Sequence, residues 1–178
     1  MRWIILLLLL SACSQSYMVS DNLAYPYNLP PVGSKLVLMQ AVAIEPGTTR
    51  TFLQRGRKTT LGDFNRYRAN CNFEVENLSD RAQRIEPDTF IIKKVQRLMT
   101  EVVRQYNHRS GFINVEYGDP GSPMVTHGYH LWLSSEKQPD VMRMTCRGAF
   151  DDLSRSEPPS INEIREALGN IAELVLAA

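Results

Sequence analysis

The sequence predicts a mainly β domain, a β-sandwich or barrel-like antiparallel sheet, with a C-terminal amphipathic helix packed on it. Three observations predict this fold. Short segments of β character are separated by turn-forming Pro, Gly and Asp. Two of these segments alternate strictly and carry a cysteine on the apolar side. The last stretch has apolar residues at helical spacing behind a Ser-x-x-Glu cap.

Taken in order, Lys35 to Ile44 is apolar on both faces, as a central strand is, and Glu45-Pro46-Gly47 turns the chain. Thr49 to Gln54 is rich in Thr and aromatic residues. Beyond the polar segment Arg55 to Gly62, residues 67–76 alternate, with Ala69, Cys71, Phe73 and Val75 on one face. Ile85-Glu86-Pro87-Asp88 is a second turn, and Thr89 to Val95 a strand. Residues 95–106 suit a strand or a helix, and we read them as strand. Phe112 to Tyr117 is a short strand before the turn Gly118-Asp119-Pro120-Gly121. Val125 to Ser134 and Val141 to Arg147 complete the sheet, the latter placing Met142, Met144 and Cys146 on one face. Ser160 and Glu163 form a capping box, after which Ile161, Ile164, Leu168, Ile171, Leu174 and Val175 predict a helix over about residues 161–176, interrupted only by Gly169.

The amino-terminal residues have a separate character. Arg2 precedes an apolar run of eight residues, Trp3 to Leu10, too short to cross a bilayer, which takes about 20. It has the size of a secretory signal core. Leu10-Ser11-Ala12-Cys13 then resembles the lipobox of bacterial lipoproteins. The resemblance implies cleavage after residue 12, a diacylglycerol on the Cys13 thiol and often an acyl chain on the new amino group, several chains being what stable anchoring needs. Ser14, in place of the Asp that retains Gram-negative members at the inner membrane, implies the outer membrane, facing the periplasm. Residues 13–33, with Pro26, Pro30, Pro31 and Gly33 and no sustained period, read as the lipidated Cys and a flexible tether; residues 34–178 read as one domain. Cys13→Ala is expected to abolish fatty-acid labelling and release the protein from membranes; continued labelling would rule out Cys13 as the sole lipid site.

With Cys13 assigned to lipid, Cys71 and Cys146 remain as an even pair in an oxidising compartment, so a disulfide is expected. Hydrophobic residues at 43% and charged residues at 22% are ordinary globular usage, and a net charge of +1 gives no nucleic-acid signature.

Motifs for chemistry are sparse. Ser134-Ser135-Glu136-Lys137 and Ser20-Asp21-Asn22 match patterns of penicillin-interacting enzymes, but the first ends a strand instead of starting a helix, the second lies upstream, and no Lys-Thr-Gly occurs. His127 and His130 face opposite sides of a strand, and no paired Cys-x-x-Cys or His-Glu-x-x-His is present, so neither metal nor cofactor is expected. Met142, Met144 and Cys146 have the softness for Cu(I), but core packing and the disulfide account for them.

Charge is more informative. Arg50, Arg55, Arg57, Lys58, Arg66 and Arg68 face one acid, Asp63, a local +5, whereas residues 151–178 carry a local −4. The basic stretch is a candidate interaction patch for anionic headgroups or an acidic partner. As a whole the chain resembles small single-domain envelope lipoproteins of Gram-negative bacteria. We expect an outer-membrane-anchored accessory or assembly factor that works through contacts with an envelope protein and carries out no reaction. A binding module for a small envelope ligand is the second expectation, and a hydrolase the third.

Overall fold

A computed structural model describes residues 23–101 and 124–177. Cys13 and the expected strand Phe112 to Tyr117 lie outside the described residues. The fold is mostly β, a curled antiparallel half-barrel with one short helix near the C-terminus.

The strands are β1 (Lys35–Leu38), β2 (Val42–Ile44), β3 (Arg50–Gln54), β4 (Arg57–Thr59), β5 (Asn70–Val75), β6 (Gln83–Ile85), β7 (Asp88–Glu101), β8 (Met124–Ser134), β9 (Val141–Arg147), β10 (Asp151–Asp152) and β11 (Ala172–Val175), with helix α1 (Ile161–Leu168) before β11. The main sheet runs β11-β1-β7-β8-β9-β5-β3-β4, with β10 also on β8; β2 and β6 form a separate pair. The expected strand from Lys35 to Ile44 is thus two strands in different sheets. The leaning of residues 95–106 toward strand agrees with β7 as far as Glu101.

Pleat alternation sorts the sheet into two faces. On one face Leu36, Leu53, Phe73, Phe90, Ile92, Leu131, Met144 and the cysteines are buried together. Ile161, Ile164, Ala167 and Leu168 of α1 cover that core, and α1 contacts β11 at one end of the strand order and β3 and β5 toward the other. Cys71 and Cys146 stand directly opposite each other and are bonded, S–S 2.02 Å, as the sequence predicts.

The helix is shorter than its apolar spacing suggests. Its start follows the sequence: Ser160 Oγ accepts from Glu163 N–H (3.3 Å) and Glu163 Oε2 accepts from Ser160 N–H (2.8 Å). It stops at Gly169, whose φ of 55° is left-handed, and residues 172–175 form β11 instead of continuing the helix. Ala172 and Leu174 are buried while Glu173 and Val175 are exposed, a period of two. Apolar residues at 168, 171 and 174 keep helical spacing, whereas Ala172 and Leu174 keep a period of two, and the otherwise open edge of β1 decides the outcome by pairing Leu36 with Leu174. Gly169 also meets the β3–β4 turn so closely that a Cβ there would lie 2.4 Å from Gly56 Cα.

The described part of the expected tether is not free. Leu23 and Leu29 pack against the core, the Tyr129 hydroxyl donates to Pro26 O (2.6 Å), and Asn162 N–H donates to Leu23 O (3.2 Å). The prolines that suggest a linker stand in a docked segment of successive turns, so residues 23–33 are not the flexible tether expected there. Among the described residues no helix is long and apolar enough to cross a membrane.

Candidate functional site

The sheet face turned away from the core is polar, and its central part is buried. The Cys71–Cys146 pairing sets the register there, aligning Asn70 with Arg147, Asn72 with Thr145 and Glu74 with Arg143 across β5 and β9. β3 adds Arg50 beside Glu74, and β8 adds His130 and Trp132 beside Thr145 and Arg143. Glu74 is held from both sides, Arg50 Nη2 at 2.9 Å and Arg143 Nε at 2.7 Å. Arg147 Nη1 donates to Asn72 Oδ1 (2.9 Å), and His130 Nδ1 meets Thr145 Oγ1 (2.7 Å). The Arg143 guanidinium lies 5.1 Å from the centre of the Trp132 ring, and Lys94 Nζ 5.7 Å from it.

The electrostatics follow from this crowding. Burial alone would raise the Glu74 carboxyl, but the Arg143 hydrogen bond and the Arg50 and Arg143 charges outweigh it and hold the group below the usual carboxylate range. Burial, then the Arg143 and Arg147 charges, lower His130. Burial, then the Arg50 charge, lower Arg147, with Glu74 opposing. Both Glu74 and His130 have folded values below their unfolded ones. Their stabilisation is therefore present above the unfolded values and lost as pH falls through the folded ones. Denaturant melts are expected to show stability falling first below pH 6.5, the ordinary His value, and again below 4.5, the ordinary Glu value. A flat profile from pH 7 to 4 would contradict the arrangement.

The residues of the predicted basic patch do not form one surface. Arg50 belongs to the Glu74 cluster, and Lys58 pairs with Glu45 (2.7 Å). Arg57 and Arg66 are exposed and enter no ion pair among the described residues. Arg55 and Arg68 line a cleft of about 440 Å³ together with Tyr67, Glu163 and Glu166, so the basic and acidic stretches meet there. A second hollow of about 380 Å³ is lined by Phe52, Leu61, Leu78 and several threonines.

The remaining motifs have structural uses. The Ser135 hydroxyl donates to Asp88 Oδ2 (2.6 Å) and its oxygen accepts from Lys137 N–H (3.1 Å), which makes it the organiser of the β8–β9 turn. His127 Nδ1 meets Ser156 O (3.0 Å). Met144 and Cys146 are fully buried in the core, and no group of three metal-ligating side chains occurs among the described residues.

A different feature is the outer edge of β7. β1 pairs with β7 only as far as Ile91, and Gly33 and Ser34 extend the contact to Ile92. Beyond that, no strand among the described residues pairs with this edge, although β8 pairs with the other edge up to Glu101. Most side chains from Lys93 to Glu101 are exposed, Met99 to 60%. Compared with known protein families, with curated proteins and with solved structures, the chain matches none.

Proposed function

We propose that this protein is a lipoprotein of the bacterial envelope, anchored at the outer membrane through Cys13, that acts as an accessory factor by accepting an extended segment of a partner protein on the outer edge of β7. The edge of residues 93–101, with which no strand among the described residues pairs, carries this reading. It supplies nine residues of backbone, roughly 30 Å, with one edge open to a ladder. Lys93, Lys94 and Arg97 against Glu101 leave an excess of two positive charges along it, which favours an acidic segment. The same lysines, with the bulge between Ile92 and Lys94, discourage pairing between two copies of the edge.

Leu10 to Cys13 supports the anchor. Because Leu23 is packed on the domain, the ten residues back to Cys13 reach at most about 35 Å, so an anchored domain works close to the membrane surface. The test is affinity capture from crosslinked cells. Wild-type protein is expected to retain a stoichiometric envelope partner, and Lys93→Glu with Arg97→Glu, both at exposed positions, to reduce its recovery about tenfold. Equal recovery by the variant would show that the partner does not bind at this edge. The hollow beside Phe52, Leu61 and Leu78 favours a second reading, a small apolar ligand, which would copurify with the isolated protein.

A further inference from the structure

We propose that the polar face of β3, β5, β9 and β8 is a binding site for a phosphate monoester group, held by Arg50, Arg143 and Arg147 with the Asn72 amide. Three observations carry it. First, the charge does not balance: three guanidiniums share one carboxylate, Glu74, an excess of two positive charges among the described residues. Half-buried charges are ordinarily paired, yet among the described residues Arg147 has a neutral amide oxygen as its partner and no carboxylate.

Second, Asn72 is 1% exposed and its Nδ2 has no hydrogen-bond partner among the described residues. Its Oδ1 is fixed by Arg147, so the unused donor is held in place next to that guanidinium. A buried amide donor left open on a cationic face is the feature an anion satisfies. Third, Glu74 occupies Nε and Nη2 of Arg50 and Nε of Arg143, leaving further guanidinium N–H groups for a second oxyanion. Arg50, with its side chain 45% exposed, gives the entry from solvent.

The class of anion follows from the charge. An excess of two matches a phosphate monoester, which carries about −1.5 to −2 at neutral pH, better than a single carboxylate. The neutral form favoured at His130 keeps that residue from adding to the count, while leaving its contact with Thr145 intact. A soluble phosphate compound and a lipid headgroup with a terminal phosphate offer the same chemistry.

The full-length protein is titrated with inorganic phosphate against acetate at equal ionic strength, with thermal unfolding as the readout, and is separately sedimented with vesicles of phosphatidylcholine with and without phosphatidic acid. The deciding variant is Asn72→Asp. It keeps the shape, gives Arg147 a carboxylate and removes the open donor, so it should fold at least as stably as wild type and bind at least about tenfold more weakly. Arg147→Lys, which keeps the charge but loses the fork, should also weaken binding. Phosphate stabilisation lost in Asn72→Asp supports a soluble ligand; phosphatidic acid-dependent sedimentation lost in that variant supports a headgroup. No response to either probe overturns the proposal, as does a response that Asn72→Asp leaves unchanged.

Discussion

Replacing both Cys71 and Cys146 with Ala is expected to lower unfolding stability by about 4 kcal/mol, because the bond closes a loop of 75 residues in the unfolded chain. For a domain of this size that corresponds to a fall in Tm of roughly 10 °C. The location adds to the effect. The cysteines are 1% and 0% exposed and join β5 to β9, two central strands, so their removal loosens the register on which both faces depend. Guanidinium chloride melts of the oxidised wild type, the reduced wild type and the double variant measure it. A loss below about 1 kcal/mol would show that packing alone sets this register.

Glu74→Ala is expected to cost about 3 kcal/mol, a value set by what it leaves behind more than by what it removes. The Glu74 side chain is 7% exposed and that of Arg143 19%, so Arg143 would lose its carboxylate in a poorly solvated place; Arg50, at 45%, recovers much of its loss from water. The combined variant Glu74→Leu with Arg143→Met removes both charges and should restore most of the stability, since an apolar pair of similar volume replaces a buried ion pair at little net cost. Equal losses for the single and combined variants would mean that shape, and not charge, is what Glu74 contributes.

The legible part of the fold lay in strict alternation and in punctuation. Residues 70–75 and 142–147 alternate in sequence, and both became central strands with their cysteines bonded, the register shifting only where Val141 instead of Met142 joins the core. The capping box at Ser160 fixed the start of α1. Its end was ambiguous because Leu174 belongs both to the helical series with Ile171 and to the alternating series with Ala172, and only the edge of β1, a partner more than 130 residues away in sequence, settles it. Pro26 and Pro30 suggested a linker, whereas Tyr129 and Asn162 bond the same segment to the domain.

The polar face was missed for a related reason. Asn70, Asn72 and Glu74, and Arg143, Thr145 and Arg147, occupy the non-core positions of their strands, where alternation ordinarily implies solvent. Yet placing Cys71 opposite Cys146 also places Glu74 opposite Arg143 in the antiparallel register. That complementarity was present in the sequence once the pair of strands was. The linear count of positive charge between Arg50 and Arg68 pointed elsewhere, and the fold divides those residues between the Glu74 cluster, the Lys58–Glu45 pair and the Arg55–Arg68 cleft, with Arg57 and Arg66 exposed apart from all three.

The function we propose has the outer edge of β7 take up a partner segment in the envelope. A photo-crosslinking residue in place of Met99, whose side chain is 60% exposed on that edge strand, tests it most directly in living cells. One dominant adduct with an envelope protein is expected, lost when Lys93 and Arg97 are reversed to Glu and absent when the crosslinker stands at exposed Leu153. Adducts of equal yield from Met99 and Leu153, or none from Met99, would contradict it.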